Sequence, residues 1–76
     1  MEIKLAVGKI LRKLRLKAGL TQEQLALEAD IRRTYVSLIE LGQNQPSITT
    51  IFKLSKALNT SPSKFLKQVE TEIIKK

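Results

Sequence analysis

Apolar residues recur three and four positions apart along this 76-residue chain, and this periodicity constrains its fold more than any other feature. Only three glycines and two prolines interrupt the pattern. The first segment carries five such residues: Ile3, Val7, Ile10, Leu11 and Leu14. Gly19 then offers the left-handed backbone that commonly ends a helix. We therefore predict a first helix over about residues 3–18.

Capping residues predict where the next two helices begin and end. Thr21 and Gln24 fit a capping box, in which each side chain accepts a hydrogen bond from the other residue's backbone. A short second helix over about residues 22–29 follows, and it ends at Asp30, a residue type that tolerates left-handed backbone. A third helix is predicted over about residues 33–41, where Gly42 stops it.

Two further helices complete the chain. Ser47 is positioned to cap a fourth helix that ends at Asn59 and carries four apolar residues: Ile48, Ile51, Leu54 and Leu58. Ser61 followed by Pro62 is typical of a helix start, with proline at the first helical position. The fifth helix runs towards the end of the chain, and we expect Phe65 and Leu66 to close the core. The pattern predicts an all-α, compact five-helix domain spanning residues 1–76.

Composition narrows the function. The chain has no cysteine and no histidine, so it lacks thiolate ligands, the commonest metal ligand and the commonest general base. No paired carboxylates or phosphate-cradling loop are evident, so we expect no enzyme activity, metal, cofactor or small-molecule ligand. The net charge of +7 favours a polyanionic partner. There is no secretory signal and no apolar run of the roughly 18 residues that would span a bilayer, so we expect a cytoplasmic protein without a membrane partner.

The second and third helices, joined by three or four residues, carry the functional prediction. Such a pair needs flanking helices as a platform, and once docked it projects one polar face of its second helix. That face fits the major groove of DNA, about 12 Å wide. The N-terminus of the first helix of the pair then points at a phosphate, which its unpaired N–H groups favour.

The same region carries a family resemblance. Residues 20–26 (LTQEQLA), residues 35–40 (YVSLIE) and the later segments 46–48 and 54–58 resemble the lambda-repressor or Cro-type helix-turn-helix family. The resemblance covers about residues 7–66. Within that family, Arg33 to Ser37 is most similar to the controller proteins of restriction–modification systems. It implies a sequence-specific DNA-binding transcriptional regulator.

The resemblance also implies roles for individual residues. Four residues of the third helix would face base edges: Arg33, Thr34, Ser37 and Leu38. Five residues would lie near phosphates: Gln22, Arg32, Tyr35, Gln43 and Asn44. Arg15 and Glu40 would form a structural ion pair between the first and third helices. Leu38 departs from the polar residue usual at its position, and its apolar side chain would suit a thymine methyl group.

The apolar stripe of the fifth helix predicts a homodimer. It continues through Val69 to Ile73 and Ile74, two turns beyond Phe65, where little remains for these side chains to pack against in one protomer. A two-fold contact there would place two recognition helices in successive major grooves of a pseudo-palindromic operator. If the tail is not the interface, Leu41 and the fourth helix are the next candidates.

Two other functions remain open at the level of sequence. A DNA-binding antitoxin, or another protein-interaction module, would have the same fold, and its exposed apolar residues would meet a protein partner. The reading frame beside this one would discriminate between these possibilities, according to whether it encodes a toxin, a methyltransferase or an endonuclease. A role at a membrane surface is less favoured, because five capped segments indicate a packed domain.

Overall fold

The computed structural model describes residues 1–75, and within them the regular structure is entirely helical. Five helices follow one another: α1 (Ile3–Lys17), α2 (Gln22–Ala29), α3 (Arg33–Glu40), α4 (Ile48–Ala57) and α5 (Pro62–Ile74). They form a compact body of 33 × 23 × 22 Å. The predicted all-α fold and the number of helices are confirmed, and the predicted bounds of the first three helices are correct to within one residue.

A side chain caps the N-terminus of each of the helices α2, α4 and α5. The Thr21 hydroxyl accepts from the backbone N–H of Gln24 at 3.0 Å, and the Gln24 side chain accepts from the backbone N–H of Thr21 at 2.8 Å, which completes the capping box. The hydroxyls of Ser47 and Ser61 accept from the third residue beyond each of them. These bonds satisfy donors that a helix start would otherwise leave without partners.

The turn between α2 and α3 depends on Asp30. This residue adopts left-handed backbone, with φ 56° and ψ 50°, and the N–H of Ile31 donates back to the carbonyl of Ala26 at 3.0 Å. Aspartate is among the few non-glycine residues that adopt this conformation readily. The chain therefore reverses within three residues and begins α3 at Arg33.

The core forms where α1 packs against α3 and α5, and where α4 packs against α2 and α5. Each helix contributes one of the largest fully buried apolar side chains, and α3 contributes two. These side chains are Leu11, Leu25, Val36, Ile39, Leu54 and Phe65. Every helix thus turns one apolar stripe inward. The helix pair α2–α3 is held on a platform made by the other three helices.

The stripe of α5 corrects two predictions. Because α5 packs along α1, Val69 is 4% exposed and belongs to the core of one protomer, and Ile73 is half-buried against that core. The prediction that Val69 belongs to a dimer interface is therefore wrong, and of the predicted tail surface only Ile74 is exposed. Leu66 is 42% exposed, not part of the core, because it lies about 100° around the helix from buried Phe65.

A close approach of backbones joins α1 to α3. A Cβ atom on Gly8 would lie 2.4 Å from the carbonyl oxygen of Ile39 and 2.8 Å from that of Glu40. Both distances are shorter than van der Waals contact, so only glycine fits at this position. The sequence pattern did not single out Gly8, yet this residue sets how closely α3 lies against α1.

Candidate nucleic-acid interface

The helix pair α2–α3 buries its apolar side and leaves a polar side outward. Leu25, Ala26 and Ala29 of α2 meet Val36 and Ile39 of α3 in the core. This contact fixes α3 relative to α2. An eight-residue helix is too short to be stable alone in water, so α3 owes its position to this packing.

The outward face of α3 carries the residues predicted to read bases. Arg33 and Thr34 are exposed in its first turn, and Ser37 lies one turn further, so that these three side chains line one shallow cavity. Leu38 is half-buried. A guanidinium and two hydroxyls therefore project together from the N-terminal half of the helix. These are donors and acceptors that suit base edges in a major groove.

The residues predicted to lie near phosphate fall into two groups. Arg32, Gln43 and Asn44 are exposed. The last two lie in the loop after α3, where their backbone N–H groups donate to the carbonyl of Leu38 at 3.0 and 3.3 Å. Tyr35 and Gln22 are half-buried, and Tyr35 packs against the core with part of its ring. All five lie on or beside the helix pair.

Arg15 and Glu40, expected to pair, are in bidentate contact. Nε of Arg15 donates to Oε2 of Glu40 at 2.6 Å, and Nη2 donates to Oε1 at 3.0 Å. Nη1 donates to the carbonyl of Leu20 at 2.9 Å, which ties the turn before α2 to the same guanidinium. The hydrogen bond to Glu40 holds the pKa of Arg15 above its ordinary value. The Arg15 and Glu40 side chains are only 10% and 5% exposed, so the pair is shielded from solvent.

The reasoning from sequence missed a third member of this cluster. Nε2 of Gln22 donates to Oε1 of Glu40 at 3.1 Å, so the first residue of α2 is joined to the last residue of α3. One amide hydrogen of Gln22 is used in this bond, and a second remains for another acceptor. No sequence motif indicates this contact, because it depends on the angle between the two helices.

α4 and α5 also carry an apolar surface, of which only the α4 part was expected, as an alternative dimer contact. Ile48 and Phe52 lie one turn apart on α4 and are 67% and 59% exposed. Ile48 is therefore on the surface, although the sequence pattern groups it with Ile51 and Leu54, which are buried. Phe52 lines a cavity with Pro62, and Leu66 follows Pro62 by one turn of α5. We refer to Ile48, Phe52, Pro62 and Leu66 as the apolar face. Their four-residue spacing within each helix, out of phase with the core stripe, is a sequence pattern that predicts such a surface.

Sites of other kinds are not found in the part of the chain that the structure describes. Within residues 1–75 there is no cluster of three carboxylate, histidine or cysteine side chains that could hold a metal ion. None of the described helices is long and apolar enough to cross a bilayer.

Comparison with known proteins agrees with this geometry. The profile of the helix-turn-helix family matches residues 11–65, from α1 to the first turn of α5. The control protein C.BamHI of Bacillus amyloliquefaciens is 45% identical over 65 residues, which are 84% of this chain and 80% of that protein. The chain belongs to the helix-turn-helix family of transcriptional regulators.

Solved structures of restriction–modification controller proteins share the fold. C.AhdI from Aeromonas hydrophila superposes with a TM-score of 0.79 at 39% identity, covering 82% of this chain and 94% of its own. C.Esp1396I superposes with a TM-score of 0.89 at 32% identity and covers 99% of both chains. A further structure shows C.Esp1396I as a tetramer in complex with its natural 35 base-pair operator. The family to which this chain belongs is therefore a family of DNA-binding proteins.

Proposed function

We propose that this regulator binds a pseudo-palindromic operator as a homodimer and controls the genes of a restriction–modification system. The observation that carries the proposal is the outward face of α3, where Arg33, Thr34 and Ser37 line one cavity above a buried apolar side. The similarity to control proteins supports the choice of regulated genes. In this role it needs no catalytic group, cofactor or small ligand, and it acts in the cytoplasm, where the DNA is.

DNA contact divides between two sets of side chains. Arg33, Thr34, Ser37 and Leu38 read base edges in the major groove, and the arginine at the start of the helix donates two hydrogen bonds to one guanine. The surrounding polar residues bind the DNA phosphate backbone on either side of these bases and so fix the position of the protein along the duplex. They are Gln22, Arg32, Tyr35, Gln43 and Asn44. Gln22 donates its remaining amide hydrogen to a phosphate while Glu40 holds the side chain in place.

The apolar face is the surface on which two protomers associate. Three exposed apolar side chains and the half-buried Pro62, on two adjacent helices, form a larger patch than a single Ile74 at the end of α5. A two-fold contact uses the same surface on both subunits. The similar protein C.Esp1396I is a tetramer on its operator, which supports a DNA-bound state with more than one protomer. Two recognition helices would then enter major grooves about 34–36 Å apart.

A footprint of the purified protein on the DNA upstream of its own gene tests the proposal. We expect two protected half-sites related by a dyad, with centres about 10 base pairs apart. The same region should remain unprotected with an Arg33→Ala variant at an equal concentration. Protection indistinguishable from that of random DNA of equal length would contradict sequence-specific binding. A protected site without a dyad would contradict the homodimer.

A further inference from the structure

A groove lies between α1 and the C-terminal end of α3, outside the surface described so far. Its walls are Lys9, Arg12, Lys13 and Leu16 of α1, with Gly8 and Glu40 where the two helices cross. Gly8 is buried where the backbones of the two helices meet, so the groove is bounded there by backbone. Three of its six residues are cations, and α1 contains no acidic residue between Ile3 and Lys17.

The charges of this groove are not equally available. Glu40 is paired with Arg15, which neutralises the one carboxylate in the groove. Lys9 pairs with Glu72 of α5 at 2.9 Å. Among the described residues, Arg12 and Lys13 take part in no ion pair, and both side chains are exposed. Lys13 interacts electrostatically with the carboxylate of Glu72. Arg12 is therefore the cation of the groove whose charge is least neutralised by a nearby carboxylate.

The groove adjoins the predicted phosphate site at the start of α2. Glu40 lines the groove, and its carboxylate accepts the hydrogen bond from Gln22, so the same residue borders both places. A DNA strand whose phosphate meets Gln22 would then pass beside this part of α1. The groove lies at the C-terminal end of α3, away from Arg33 and Thr34, so a strand there lies outside the bases that α3 reads.

We propose that Arg12, with Lys13 beside it, binds the DNA phosphate backbone next to the phosphate held by Gln22 and so extends the contact of each protomer beyond the helix-turn-helix. The proposal rests on the proposed function, since it needs a DNA strand at Gln22. A guanidinium suits the task because its planar fork can donate two hydrogen bonds to one phosphate. The contact adds affinity and carries no sequence information.

Salt dependence of binding by Arg12→Gln tests the contact. Each phosphate neutralised by a cation adds about 0.9 to the slope of log affinity against log salt concentration. The variant should lose affinity for operator and random DNA alike. On a single half-site its slope should be shallower by about 0.9, and on the full operator, where a dimer presents two Arg12 side chains, by about 1.8. Its disadvantage against the parent on the operator should therefore shrink roughly twelvefold between 50 and 200 mM salt. Arg12→Lys retains the charge and should restore the slope.

Lys67→Gln is the matched control, because it removes the same charge from an exposed position on α5, outside the groove and the helix pair. It should keep the parent's slope. Equal slopes for Arg12→Gln and the parent, or an equal change in both Gln variants, would overturn the Arg12 contact. In either case the parent still protects its operator, whereas loss of protection by the parent would overturn the proposed function itself.

An operator with one uncharged methylphosphonate linkage locates the contact. Scanning the linkage along the strand beside Gln22 should reveal one position that weakens the parent but has little further effect on Arg12→Gln. This non-additivity is expected when the side chain and the phosphate interact directly. If the two losses add at every position of the strand, Arg12 acts only through the general charge of the protein, and the proposed contact is wrong.

Discussion

Glu40 occupies a central position among the polar residues near the proposed DNA surface. It accepts two hydrogen bonds from Arg15 and one from Gln22, so a residue of α1 and a residue of α2 are joined at the end of α3. Its side chain is only 5% exposed, and removing one partner of such a shielded pair costs about 3–5 kcal/mol. The cluster therefore stabilises the platform and at the same time orients Gln22.

Arg33 and Arg32 are adjacent, both exposed, and assigned to different tasks. If Arg33 reads a guanine, Arg33→Ala should cost about 1–3 kcal/mol per half-site and relax the preference at one base pair in each. Arg32→Ala, the matched control, should weaken operator and random DNA equally and lower the salt slope, because it loses a phosphate contact. Binding titrations against operators changed at single positions measure both effects. A uniform loss in Arg33→Ala would instead place Arg33 on the backbone.

The sequence predicts a residue's position best where the structure depends on its near neighbours. The capping box of Thr21 and Gln24 and the left-handed Asp30 were predictable, because each depends on backbone within a few residues. The bond from Gln22 to Glu40 spans 18 residues, and the fit of Gly8 against Ile39 spans more. Such contacts follow from how helices cross, which residue spacing alone does not determine.

At the scale of helices, the crossing of α1 and α3 depends on Gly8. Gly8→Ala would place a methyl group against two carbonyl oxygens of the backbone, which cannot move aside as a side chain can. Alanine favours a helix by about 1 kcal/mol over glycine, but overpacking of this kind costs more. We expect a net loss of about 2 kcal/mol or more in the free energy of unfolding, measured by urea denaturation.

Gly19→Ala provides the comparison for Gly8. A Cβ at Gly19 meets nothing within 4 Å, but its φ of 73° is unfavourable for alanine. The expected loss is about 1 kcal/mol from backbone strain alone. A Gly8→Ala variant as stable as the parent, or more stable than Gly19→Ala, would show that α1 and α3 can separate without cost.

The ion pair of Lys9 and Glu72 joins α5 to α1 and should make this attachment sensitive to acid. The hydrogen bond from Lys9 holds the pKa of the Glu72 carboxyl below its ordinary value of 4.5. A group whose folded pKa is lowered adds stability above its unfolded pKa and loses it as pH falls through the folded value. The parent should therefore be more stable than Glu72→Gln near neutral pH, and this difference should vanish in acid.

Thermal unfolding of the parent and Glu72→Gln between about pH 6 and about pH 3 measures this difference. Glu70→Gln is the control, because Glu70 is exposed on the same helix and makes no ion pair among the described residues. It should show no comparable dependence. If the gap between the parent and Glu72→Gln stays constant over the whole range, the carboxylate contributes no charge-dependent stability.

For the whole molecule, α5 shows why an interface is harder to predict than a helix. The spacing of Phe65, Val69 and Ile73 predicts an apolar stripe but not which protein surface covers it. Here α1 of the same protomer covers it, so Val69 is in the core. Conversely, Ile48 and Phe52 have the residue type of a core but are exposed, because no helix packs on that side of α4.

The apolar face of α4 and α5 therefore replaces the tail of α5 as the proposed dimer surface, and substitution discriminates between the two. Ile48→Asp with Phe52→Asp places two charges on the apolar face, while both positions are too exposed for the fold to depend on them. We expect this double variant to keep its helical content and to sediment as a monomer. Ile74→Asp should sediment as the parent does.

Operator binding should follow the same division. A dimer holds its second recognition helix at a high effective concentration over the second half-site, which raises affinity by about 10²–10⁴ over one half-site. On the full operator, the double variant should lose this gain in affinity. On a single half-site, it should bind as tightly as one protomer of the parent does. Ile74→Asp should keep the full affinity. If Ile74→Asp alone yields monomers, the tail is the interface, and the exposed apolar residues of α4 meet something other than a second copy.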